Sequence, residues 1–242
     1  MNALLLAILL QPAADAAKTC AEKAGAAGYA YRVAGRFERT GSWMPEGVLA
    51  ARIRDFQSAR HDDRILVKGP EGLWKTPGER VGEATEKEQK DVADIMKVLE
   101  EARAPHKIAL GFLAEATRVV EGERVDVDGR TPSRAYWLSF PEKKTRDELQ
   151  EQLDLDVKRG KLDKPDEVLW ARMKGNVLVY ARESDGLLVR LVETSSVTIA
   201  YKKENQRPDE KRYELKLTVN LSDHGQAKLE LPVEIKERLG LK

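Results

Sequence analysis

NVLVYARESDGLLVRLVETSSVTIAY at residues 176–201, followed after a polar loop by YELKLTVNL at residues 213–221, decides the fold. In the last segment Tyr213, Leu215, Leu217, Val219 and Leu221 alternate with Glu214, Lys216, Thr218 and Asn220. A period of two gives a strand one apolar and one polar face. Asp185 and Gly186 are expected to supply the positive φ angles of a tight hairpin, which makes the segments on either side antiparallel neighbours. The charged loop at 202–211, containing Pro208, delivers the third strand. Such a meander has one apolar face, and that face needs a cover.

Outward from the meander, strands at 119–126 and 134–140 flank a second hairpin dipeptide, Asp128-Gly129. Tyr136, Leu138 and Phe140 share one face there and Trp137 takes the other. Near the N-terminus, YAYRVAGRFER at 29–39 reads as one strand with Tyr29, Tyr31, Val33 and Phe37 together and a bend or bulge at Gly35. Residues 48–57 read as a second strand, with Leu49, Ala51 and Ile53 opposed to Arg52 and Arg54. Residues 64–68 form a third, and Gly69-Pro70-Glu71-Gly72 turns into a short fourth around Leu73 and Trp74. Short turns between successive strands call for an antiparallel sheet.

Between these two strand series the period changes. In TEKEQKDVADIMKVLEEARAP at 85–105, Val92, Ile95, Met96, Leu99 and Ala102 lie on one helical face, and Thr85 with Glu88 makes a capping box. Pro105 ends that helix and begins another, which carries Ile108, Phe112 and Leu113. The stretch 142–166 is the most charged part of the chain and lies between Pro141 and Pro165. Its stripe of Leu149, Leu153 and Val157 suits a helix on the surface of a solvated insert. Pro232 starts a final short helix.

The N-terminus differs from everything after it. ALLLAILL at 3–10 is followed by Gln11-Pro12 and by Ala14-Asp15-Ala16, the outline of a signal peptide over 1–16 with a single domain over 17–242. The apolar run is too short to span a bilayer and no later segment qualifies, so the mature protein is expected not to be membrane-spanning. The single cysteine, Cys20, excludes an internal disulfide framework and is expected to be a small packing residue on an N-terminal helix. Lys18 and Thr19 stand where a lipidation signal wants small or apolar residues. Lys and Arg number 42 against 41 Asp and Glu, with the signs interspersed, so nucleic-acid binding has no electrostatic footprint.

Strands, a helical pair and a longer antiparallel run behind a signal peptide form a recognisable order. With YAYRVAGRFER, ERVDVDGRTPSRAYWLSF, NVLVYARESDGLLVRLV and LTVNLSDHG in those places, the chain resembles the LolA-like superfamily of periplasmic lipoprotein-localisation carriers. The resemblance is one of element order and hairpin style, and no family residue is carried over by motif. It implies a half-open barrel: an α+β fold in which a curved antiparallel sheet has its concave apolar face covered by the helical pair. It also implies export, most naturally to a periplasm, and the holding of acyl chains of a lipid or a lipidated protein.

Physical reasoning independently directs attention to the inner face of such a sheet, which side chains, helices or a ligand must fill. The candidates on the strands are Tyr31, Val33, Phe37, Leu49, Ile53, Trp74, Tyr136, Leu138, Leu215, Leu217 and Val219. From the helices come Ile95, Met96, Leu99, Phe112 and Leu113. They either line a ligand cavity or close up as an ordinary core. The second case describes an exported non-enzymatic scaffold that engages an envelope protein through Arg52 and Arg54 or through the insert.

No catalytic residue, metal ligand set or cofactor motif is read from the sequence, and an enzyme is not expected. Of the three histidines, His61 with Asp62 and Asp63 reads as a solvated turn, because adjacent strand residues point to opposite faces. His106 reads as a surface residue at a helix start. His224 beside Asp223 lacks a nucleophile elbow, and turn chemistry accounts for Ser222-Asp223-His224-Gly225.

Overall fold

The computed structural model describes residues 3–35, 38–76, 86–141, 143–144, 146–158, 167–202, 207–229 and 231–241. Helix α1 (Ala3–Ala27) leads into β1 (Tyr29–Ala34), β2 (Arg39–Trp43), β3 (Val48–Ile53), β4 (Phe56–His61), β5 (Arg64–Lys68) and β6 (Trp74–Lys75). Helices α2 (Glu86–Glu100) and α3 (Pro105–Glu115) follow, then β7 (Arg118–Val127), β8 (Thr131–Ser139), β9 (Lys143–Lys144) and α4 (Arg146–Lys158). β10 (Glu167–Arg182), β11 (Leu188–Lys202), β12 (Asp209–Ser222) and α5 (Val233–Leu239) complete the chain. The fold is α+β on one large antiparallel sheet. Eleven strands run in the order β6-β5-β4-β3-β2-β1-β12-β11-β10-β8-β7, β9 pairs with β10 off this path, and the sheet is not closed.

The meander forms in the predicted register, with Leu191 opposite both Val179 and Val219. Its first turn is wider than the dipeptide implied: Gly186 takes a φ of 71°, while Asp185 is not among the residues at positive φ. Asp185 anchors the loop instead, its carboxylate accepting the Leu187 N–H at 3.0 Å and pairing with Arg182 at 2.5 Å. At Asp128 and Gly129 both residues do adopt positive φ, 56° and 66°, as that hairpin requires. β12 is longer than its alternation indicated and starts at Asp209. Because β1 stops at Ala34 opposite Thr218, residues 209–217 have β11 as their only ladder partner among the described residues.

Two strands read from the sequence are each two strands. The first ends at Ala34, and the last residue of the predicted run, Arg39, starts an antiparallel neighbour, β2, in which it pairs back with Val33. Gly41 therefore lies inside a strand, where the Tyr31 ring occupies the place of a Cβ. The second expected strand reverses at Arg54 and Asp55, with Ile53 opposite Phe56. Arg54 holds a φ of 52° at that turn, a left-handed conformation that a sequence without Gly does not advertise.

The main core lies on one face of the sheet. Tyr31, Val33, Leu49, Ile53, Leu138, Val179, Leu191 and Val219 meet Ile95 and Leu99 of α2 there. Three side chains of the sheet satisfy the last carbonyls of α2: Arg39 donates to Val98, Ser58 to Leu99 and Arg60 to Glu100. Helix α1 contributes Ala13, Ala17, Cys20, Ala21 and Ala24 to the same core and packs on α3, β7, β10 and β11. It runs unbroken through the cleavage point expected after Ala16. A second, smaller core lies on the opposite face, where Ile235 and Leu239 of α5 cover Ala59 and Leu66, with Trp74 packed against them. Trp74 thus belongs to the other face from the one expected: strand register sets it opposite Lys68, one residue out of phase with the inward Val67. Thr85 of the expected capping box lies outside the described residues, as does Phe37.

Candidate functional site

Most of the residues expected on the inner face fill it themselves. Tyr31, Val33, Leu49, Ile53, Ile95, Leu99, Tyr136, Leu138 and Val219 are buried in the main core, and Met96, Leu113 and Leu217 are packed against it. At the far end of the meander the filling stops. Leu215 is 62% exposed and Tyr213 50%, on the same face as buried Val219 and Leu221.

Beside that uncovered end, between the last turn of α3 and the β10–β11 ladder, lies a cleft of about 560 Å³. Its walls include Phe112, Phe140, Pro141, Met173 and Val177, and its floor is open at Gly175, where no side chain projects. The Phe112 and Phe140 rings meet edge to face with centroids 5.9 Å apart. Of the predicted residues only Phe112 lines it.

The polar groups of the cleft are Glu115, Asn176, Glu193 and Ser195, and no Lys, Arg or His is among its described lining residues. Glu193 sits on β11 between Val177 of β10 and Leu217 of β12, two apolar neighbours at the same register level. Burial pushes its carboxyl upward from the ordinary range. The sequence carries a trace of this site: on the inward positions Leu191, Glu193, Ser195 and Val197, two polar residues interrupt the apolar series.

The far end of α3 is fixed by a buried polar knot. The Tyr29 hydroxyl accepts the backbone N–H of His106 at 3.1 Å and is hydrogen-bonded to its Nδ1 at 2.8 Å. Burial pushes the His106 pKa down to about 4, and Lys107 adds to the shift. The Trp43 ring lies tilted against the same ring with centroids 4.8 Å apart, and its Nε1–H donates to the Gly25 carbonyl at 2.9 Å. His106 is therefore a core residue at the junction of α1, β1, β2 and α3, not the surface residue expected. An exposed helix start and a buried one look alike in sequence.

The other titratable candidates hold structural positions. His61 donates Nδ1–H to the Leu239 carbonyl at 3.0 Å, and His224 donates Nε2–H to the Leu188 carbonyl at 2.9 Å. Ser222 donates to Asp223 rather than to an imidazole. Cys20 is buried, and burial pushes its thiol up to about 12, the behaviour of an inert packing residue. No three metal-ligating side chains converge among the described residues. No described helix is long and apolar enough to cross a membrane. No family model, curated protein or solved structure matches the chain.

Proposed function

We propose that the chain is an exported carrier or sensor of the lipoprotein-localisation type, which shelters the acyl chain of a lipid or lipidated protein in the cleft between α3 and the β10–β11 ladder. In this reading residues 1–16 direct export to a periplasm, the open sheet curves as a half-barrel, and the helices lie over its concave side. The observation that carries it is the cleft itself. Its volume of about 560 Å³ falls within the range of small-ligand sites, about 300–1,000 Å³. Its walls are largely apolar, and its Ser195 stands opposite the exposed Leu215 in the β11–β12 ladder. Each buried methylene of a bound chain would contribute about 0.8 kcal/mol. Met173 suits a site for flexible chains, because an unbranched thioether repacks readily.

A second reading, an exported scaffold without a ligand, draws on the close-packed half of the inner face around Tyr31, Leu49, Leu99 and Leu138. Native mass spectrometry of the exported protein, with lipid extraction of the same sample, separates the two. The carrier predicts a stoichiometric acyl species lost on denaturation, and uptake of a fluorescent fatty acid that the variant Met173→Asp abolishes while its circular dichroism is unchanged. A bare polypeptide that takes up no probe, or a folded Met173→Asp that takes it up as well as the parent, refutes the carrier.

A further inference from the structure

The first half of β12 carries a charge pattern that fits a second copy of itself. Every residue from Asp209 to Lys216 is exposed, although each lies in a strand that ladders with β11 on one side. On the other side β1 pairs no further along β12 than Thr218, and no other described strand pairs with this stretch. Tyr213 is 50% exposed and Leu215 62%, on the face that is buried further along the strand at Val219 and Leu221. Free peptide groups with apolar side chains beside them are what strand addition uses.

Geometry, length and charge together fix how two copies meet there. Residues opposite each other in an antiparallel pair are either both hydrogen-bonded or both not, so a strand pairing with itself places the two-fold axis on a residue and never between two. At one end β1 begins opposite Thr218, and at the other Pro208 has no N–H to continue a ladder. The available run is therefore 210–216, and all of it is used only when the axis falls at Tyr213. In that register Glu210 faces Lys216 and Arg212 faces Glu214 across the axis, so every charge on the polar face meets its opposite. On the other face Tyr213 meets Tyr213, and the Lys211 stem crosses Leu215. Moving the axis by one residue sets Arg212 against Arg212 and Glu210 against Glu214, or Glu214 against Glu214 and Arg212 against Lys216. Like charges directly opposed destabilise a strand pair. Arg212 and Glu214 already pair along the strand at 2.9 Å, so across the axis the two pairs close into a ring of alternating sign.

We propose that the protein forms a two-fold dimer in which residues 210–216 of β12 pair antiparallel with the same residues of a second copy, Tyr213 facing Tyr213. The contact is isologous and consumes the free edge of both copies, so it closes at two and joins two sheets into one. Because Leu215 stands opposite Ser195 of the cleft, the two clefts flank the junction on one side of the joined sheet. The dimer is independent of what the cleft carries.

The test is sedimentation equilibrium of the full chain over a dilution series, with disulfide trapping to read the register. The parent should follow a monomer–dimer equilibrium. Arg212→Glu should weaken association at least about tenfold, and adding Glu214→Arg to it should restore the parent affinity, because exchanging the two residues keeps opposite signs opposed. Both positions are exposed, so circular dichroism should not change. Directly opposed residues of an antiparallel pair have Cα atoms about 4.5–5.5 Å apart, within the span of a disulfide. Tyr213→Cys should therefore oxidise to a covalent dimer at least about tenfold faster than Lys211→Cys or Leu215→Cys alone, while a mixture of those two should cross-link to each other. Cys20, the one native thiol, is buried and does not compete. A monomer at every concentration or an assembly that grows beyond two overturns the proposal. So do a charge exchange that fails to restore association and a Tyr213→Cys that cross-links no faster than its neighbours.

Discussion

Replacing Tyr29 with Phe tests whether the knot at the start of α3 anchors that helix. Tyr29 is fully buried and His106 only 6% exposed. Phe keeps the ring, so no cavity opens, and the loss is confined to the hydroxyl. Its removal leaves two groups of His106 without their partner: the backbone N–H at 3.1 Å, one of the helix-start donors with no intrahelical acceptor, and Nδ1 at 2.8 Å. Each stranded polar group costs about 1–3 kcal/mol, and some relaxation of the ring brings the expected total to about 3 kcal/mol. In a chain of this size that is about 6–12 °C in melting temperature. Urea unfolding followed by circular dichroism gives the free energy, with the m value expected to stay constant. Tyr31→Phe is the control, because its hydroxyl makes one bond, to the Ala50 carbonyl at 3.0 Å, and should cost about 1 kcal/mol. A Tyr29→Phe loss below about 0.5 kcal/mol, or one no larger than that of Tyr31→Phe, would refute the reasoning.

The same knot makes stability depend on pH. Unfolded His106 takes up its proton near 6.5 and folded His106 near 4. Between those values the unfolded state holds more protons, so stability falls as pH drops from about 6.5 to about 4 and is unaffected by this residue above that window. An NMR titration placing the His106 midpoint at the ordinary value would contradict the burial described. Two glycines make a matched pair. Gly41→Ala puts a Cβ 2.1 Å from the Ala50 carbonyl oxygen and 2.5 Å from the Tyr31 ring, and should destabilise by at least about 2 kcal/mol. Gly111→Ala, inside α3 with nothing within 4 Å, should stabilise by about 0.5–1 kcal/mol. Thermal melts of both should move in opposite directions. Leu138→Ala, at 0% exposure in the main core, should cost about 2–5 kcal/mol by urea unfolding.

The elements with a strong period were readable from the sequence. The alternation at 213–221, the apolar stripe of α2 and the proline at the first position of α3 all lie where the residues indicated. Reversals without glycine were not. Arg54 holds a left-handed conformation that Gly or Asn would announce, and so the residues of β3 and the start of β4 look like one strand in the sequence. Period alone also cannot say which face is covered by what. Trp74 alternates correctly yet faces α5, and the inward residues proved to be largely self-filling because α1, beyond the helical pair, adds five small side chains to the core. The cleft was missed for a related reason: its lining comes from the end of α3, the end of β8 and the middle of β10 and β11. Only three-dimensional register brings these together, and Glu193 interrupts the apolar alternation that marks inward residues in a sequence.

The first half of β12 has a wider consequence for how the protein behaves in concentrated solution. From Asp209 to Lys216 one edge of this strand presents peptide groups that β1 does not reach, which is a template for another chain to dock by strand addition. Asp209, Glu210, Lys211, Arg212, Glu214 and Lys216 occupy that edge, and an incoming strand would have to desolvate a run of charges of both signs. Three of these side chains are acidic and three basic, so what keeps β12 from polymerising outside the matched register is the cost of stripping water from them rather than net repulsion between copies, and that barrier depends little on salt.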